Sequence, residues 1–124
     1  MSSNGPTGCR TKDHGARALF QTLPGCIECA GLEGTGLYRV RSVGSPLLLY
    51  VGEGRIRARL LAHRHKVSNV GHAQGTIFRE AGSLEASWIE NDVWHGHQRL
   101  ELETDLIAAH LLAIAWLPTA QFLG

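Results

Sequence analysis

Apolar and polar residues alternate through Leu37-Tyr38-Arg39-Val40-Arg41, the period-two signature of a strand with one face buried. Leu47-Leu48-Leu49-Tyr50-Val51 is an unbroken apolar run of strand length, and Ser42-Val43-Gly44-Ser45-Pro46 between the two carries the residues of a loop. Together they predict a β-hairpin. Gly52-Glu53-Gly54 breaks the second strand, and Arg55 to Lys66 follows with good helix formers and neither Gly nor Pro, which predicts a helix. Ser68, Asn69, Gly71 and Gly75 leave Val67 to Gly75 without periodicity, so this stretch reads as a loop, followed by a short strand at Thr76 to Arg79. Another strand is expected at Leu84 to Ile89, and a helix from His97 to Ala115 that Pro118 terminates. Residues 1–33 are rich in Gly, Ser, Thr and Pro, with only Ala16 to Leu23 suited to a short helix, and are expected to form a loosely ordered N-terminal segment. The order β-β-α-β-α over residues 34–124 points to an α+β domain, a small, mostly antiparallel three-stranded sheet packed with helices.

The last helix carries an anomaly. At 100° per residue, Leu100, Leu106, Ile107, Leu111 and Ile114 define one apolar arc, and Glu103 falls inside it. A carboxylate placed there loses hydration at a cost of several kcal/mol unless a cation or hydrogen-bond donors compensate. Two compensators suit it: an arginine from the earlier basic helix, or a divalent metal of the hard, oxygen-seeking kind. On that basic helix Arg59 and His63 are four residues apart, beside Ile56 and Leu60, and both are expected to look toward the sheet. A guanidinium held in this way presents a planar fork to phosphate oxygens. An imidazole next to it can shuttle a proton.

Composition limits the rest. A chain of 124 residues, 44% hydrophobic, builds one core and not two. No run approaches the roughly 18 to 20 uncharged residues of a bilayer crossing, and MSSNGPTGCRTKDHG lacks the apolar stretch of a secretory signal. A soluble, cytoplasmic protein is the expectation. Cys9, Cys26 and Cys29 are odd in number and contain one Cys-x-x-Cys pair without a second; they read as reduced thiols, with a structural zinc on Cys26 and Cys29 as the alternative. The net charge of +1 conceals a segregation that matters more: Gly54 to Arg79 holds six Arg or Lys and no acid, while Glu80, Glu85, Glu90, Asp92, Glu101, Glu103 and Asp105 follow it. A basic surface beside a carboxylate suits a phosphate-bearing substrate. His95-Gly96-His97 and His63-Arg64-His65 lack the further ligands of a tetrahedral set, Trp88 suits the core better than a base-stacking role, and His110 is read as a packing residue.

The chain also resembles a known family. Gly36-Leu37-Tyr38 followed by Tyr50-Val51-Gly52 is similar to the two elements that name the GIY-YIG nucleases, with Leu37 and Val51 standing where isoleucine is usual. Arg59 and His63 match the arginine and histidine of the helix after the second element, and Glu103-Thr104-Asp105-Leu106-Ile107 matches the later helix that opens on a metal-binding glutamate. The resemblance runs from Gly36 to Gln121. It implies a metal-dependent endonuclease that hydrolyses DNA, with Tyr38 as general base helped by Tyr50 or His63, Arg59 on the scissile phosphate, and Mg²⁺ or Mn²⁺ on Glu103. Arg55, Arg57, Arg64 and Lys66 would extend the contact with DNA, and Gln121 stands where many members carry a substrate-contacting asparagine. The same residues are compatible with an inactive nucleic-acid-binding module. No appended DNA-reading motif is visible, so specificity would come from substrate structure, from homodimerisation or from a targeting partner protein.

Overall fold

The computed structural model describes Gln21–Thr22 and residues 34–121. Among the described residues, seven elements occur in the order β1 (Gln21–Thr22), β2 (Thr35–Ser42), β3 (Leu48–Arg55), α1 (Ile56–Val67), α2 (Ala73–Glu80), β4 (Leu84–Glu90) and α3 (Gly96–Ile114). This is a small α+β fold. Three long antiparallel strands form its sheet, β2 between β4 and β3, with the two-residue β1 added against β4. Most of the segment before Gly34 lies outside the described residues, as do Cys9, Cys26 and Cys29. The expected Ala16–Leu23 helix is corrected at Gln21 and Thr22, which pair with Glu85 and Ala86 as strand.

A second correction concerns the stretch after α1. Thr76 to Arg79 is not a strand; it lies within α2, which also takes in Ala73 to Gly75 at the end of what reads as a loop. His72 caps the helix start by accepting from the Gly75 amide, and Phe78 and Gln74 are buried beneath it. Thr76, Ile77 and Phe78 favour strands on local preference, but burial of Phe78 against α1 and the sheet decides in favour of helix.

Tyr38, Val40, Leu49, Ile56, Leu60, Phe78, Ala86, Trp88 and Ala120 make the core. Register explains the set: Tyr38 lies opposite Gly52 and Trp88, and Val40 opposite Tyr50 and Ala86, so one face of β2 collects the large side chains of both neighbours. On α1 the buried residues Ile56, Leu60 and His63 follow helical spacing along one line.

The apolar arc expected on α3 turns out narrower. Glu103, Ile107, His110 and Ile114 form the inward line, while Leu100, Leu106 and Leu111 are only partly covered and Leu112 is 87% exposed. The reason is geometric: α3 packs chiefly on β3, the last strand of a small sheet, which can cover only a strip of the helix. His110 packs as expected, accepting from the Leu48 amide at Nε2 (3.0 Å) and placing Nδ1 2.7 Å from the Trp116 carbonyl. A backbone donor at Nε2 fixes the proton on Nδ1. After α3 the chain runs along the outer edge of β3, where Thr119 and Ala120 donate to the carbonyls of Leu48 and Leu49. Gln121 then takes both backbone groups of Val51 with its amide, each at 2.7 Å. No helix among the described residues is long and apolar enough to cross a membrane.

Candidate active site

Tyr38, Tyr50, Glu53, Arg59, Ala62, His63, Lys66 and Glu103 line one cleft with a volume of about 130 Å³. Four elements supply it, so the convergence is a product of the fold and not of sequence proximity: β2 gives Tyr38, β3 gives Tyr50 and Glu53, α1 gives Arg59, His63 and Lys66, and α3 gives Glu103. All five residues expected to carry catalysis meet there, as does Lys66. Arg55, Arg57 and Arg64 lie on β3 or α1 outside the lining. Gln121 is outside as well, its amide bonded to both backbone groups of Val51.

At the centre is a neutral pair. Tyr38 Oη lies 2.7 Å from His63 Nε2, both side chains buried. Tyr38 and Tyr50 stack with ring centroids 6.0 Å apart, and the Tyr50 ring is 4.6 Å from that of His63. The Tyr38 ring lies over Gly52, where a Cβ would come within 2.4 Å of the phenol oxygen, so this side-chain-free position is what lets the phenol settle against β3. Burial, and after it the charge Tyr50 would carry, push the Tyr38 pKa well above that of an ordinary phenol. Tyr50 is raised by burial and then by Glu103. His63 moves the other way, down to about 3, through burial and then the charges of Lys66 and Arg59. The resting site therefore holds a phenol and an uncharged imidazole, not a phenolate. Either imidazole tautomer leaves the buried Nδ1 with no hydrogen-bond partner.

That shift makes stability depend on acid. The folded pKa of His63 is below the unfolded value near 6.5, so its contribution is complete above about pH 6.5 and is lost as pH falls toward 3. The slope from this residue is roughly 1.4 kcal/mol per pH unit inside the window. Urea unfolding at pH 7, 6 and 5 should show a steeper loss of stability for the native chain than for His63→Gln; parallel losses would mean the imidazole is not desolvated.

Around the pair, charge is arranged unevenly. Arg59, expected to look toward the sheet, is exposed instead, because the buried line of α1 passes through Ile56, Leu60 and His63 and leaves it on the flank, where it still lines the cleft. Glu103 is half-buried, as its place on the helix requires. Its carboxyl pKa is raised by desolvation first and by the charge of Glu53 second, against the lowering effect of Arg59. Glu53 is in turn held by Arg99, one turn before Glu103 on α3, at 2.9 Å. Glu53 could not be singled out from the sequence, since strand alternation places it opposite Tyr50; with β3 outermost and α3 beside it, it lines the cleft all the same. Two neighbouring carboxylates, one without an ion-pair partner among the described residues, fit a hard divalent cation, which takes one or two carboxylates and completes its shell with water or substrate oxygens. Among the described residues no group of three or more His, Cys, Asp or Glu gathers into a fuller ligand set. The adjacent His95 and His97 rings stack on each other, exposed, at the start of α3.

Comparison with protein-family models, with curated proteins and with solved structures yields no match to this chain.

Proposed function

We propose that this protein is a metal-dependent endonuclease acting on DNA phosphodiesters, of the GIY-YIG type that its motifs resemble. The observation that carries the reading is the meeting, in one cleft, of two tyrosines, an arginine, a histidine and a glutamate drawn from four separate elements. A binding surface alone has no need to desolvate a carboxylate, since that placement opposes both folding and the attraction of a polyanion.

The chemistry follows from the resting charges. Arg59, whose guanidinium makes no ion pair within the protein among the described residues, takes the oxygens of the scissile phosphate and holds them as negative charge grows. Burial, the larger cause of the low His63 basicity, remains, while arrival of that anion offsets the lesser contribution of the Lys66 and Arg59 charges and so raises the basicity of the imidazole in part. Tyr38 then accepts a proton from the attacking water while passing its own to His63 Nε2 along the 2.7 Å contact, so a free phenolate never has to form. This relay uses the tautomer that carries its proton on Nδ1. Glu103, with Glu53 beside it, would hold Mg²⁺ or Mn²⁺, whose charge would there be available to the phosphate and the departing oxygen.

The test uses purified protein with supercoiled, linear and branched DNA in Mg²⁺, Mn²⁺ or EDTA, beside Glu103→Gln. Cleavage should require the metal and should fall by two orders of magnitude or more, roughly, in the variant. Equal cleavage in EDTA, or by Glu103→Gln, overturns the mechanism. Tight metal-independent binding with no cleavage on any substrate would instead support an inactive DNA-binding module.

A further inference from the structure

We infer that Lys66 and Arg59 form a two-pronged phosphate seat, and that Gln74 is the residue positioning the lysine within it. The inference rests on the nuclease reading for its substrate, and names one more group that touches that substrate's phosphates and one that acts through it.

Lys66 and Arg59 both line the cleft, and among the described residues neither has a carboxylate within ion-pairing distance. Each acts on the other as a like charge, which is a cost unless an anion enters between them. A lysine in the final turn of a helix would ordinarily curl back toward the free carbonyls there or extend into water. Here its ammonium donates to Gln74 Oε1 at 2.6 Å. Gln74 is 2% exposed, and its own Nε2 donates to the Ala120 carbonyl at 2.8 Å, so the acceptor that directs the lysine is anchored at its far end. An uncharged amide is the informative choice at this place. It orients the ammonium and leaves the charge unneutralised, whereas a carboxylate would consume it. A buried polar side chain facing a cation in a cleft, lined as well by a second cation that is unpaired among the described residues, is a construction suited to an anion.

The experiment measures two ligands without metal: inorganic phosphate alone, and a short fluorescent DNA duplex in EDTA. Proteins compared are the native chain, Lys66→Met, Gln74→Leu, Gln74→Glu and the Lys66→Met/Gln74→Leu double variant, each first checked by urea unfolding. Lys66→Met should bind both ligands about tenfold more weakly and should lower the salt dependence of duplex binding by about one counterion. Gln74→Leu should weaken binding when Lys66 is present and have no further effect when it is Met; Gln74→Glu should be at least as damaging, since it quenches the ammonium. If Gln74→Leu does not fold, Gln74→Glu and Lys66→Met still decide. Native-like binding by Lys66→Met, or an equal effect of Gln74→Leu in both backgrounds, overturns the seat. Should the native chain cleave no DNA while this pattern holds for inorganic phosphate, the nuclease reading fails and the anion seat stands.

Discussion

Arg59→Ala should cut DNA cleavage by roughly a thousandfold, a loss of about 4 kcal/mol of transition-state stabilisation, with almost no change in folding stability. The two halves of that expectation come from different facts. Arg59 is exposed and makes no ion pair among the described residues, so the fold loses little with it. Arg59 nevertheless lines the cleft with Glu103, Tyr38 and Tyr50, where developing charge on phosphorus would be met. Arg59→Lys should recover only part of the rate, because an ammonium supplies the charge without the planar fork. Initial rates on supercoiled DNA, read beside thermal melting, separate the two effects. Full activity in Arg59→Ala would remove the phosphate clamp, whereas a large drop in melting temperature would show that the residue is structural.

The largest effect on stability should come from Gly75→Ala. Helix preference alone favours alanine by about 1 kcal/mol at an unobstructed position. Gly75, however, sits where α2 meets the end of α1, and a Cβ there would come within 1.9 Å of the Lys66 carbonyl oxygen. That neighbour is backbone and cannot swing aside, so the helices must part and lose contact around the buried Phe78. The steric term prevails, and the variant should be destabilised by roughly 3 kcal/mol or more. A urea midpoint equal to or above that of the native chain would show that the helices do not approach so closely.

The same glycine marks the limit of what the sequence discloses. The hairpin, α1, β4 and α3 are legible because alternation and apolar runs agree with the final packing, and their ends fall within a residue or two of expectation except at β3, where Gly52-Glu53-Gly54, read as a breaker, instead carries the strand on to Arg55 in register with β2. In α2 they disagree: Gly71 and Gly75 signal a loop and Thr76 to Phe78 signal a strand, while the deciding contact, backbone against backbone, involves no side chain that a pattern can register. For the site, Glu103 was legible because a charge within an apolar arc violates the local rule. Glu53 and Gln74 were not. One stands on the wrong face by alternation, and the other is an ordinary amide in a segment misread as loop, whose significance appears only when α1 and the tail close around it. Gln121 shows the converse, a position suggested by resemblance whose amide is bonded to the backbone of Val51 and does not line the cleft.

Residues 119–121 act as a buckle. They fasten the strand bearing Tyr50 through Leu48, Leu49 and Val51, and fasten Lys66 by way of Gln74. Substitutions that loosen residues 119–121 would thus slacken the cleft from behind without altering any residue that lines it.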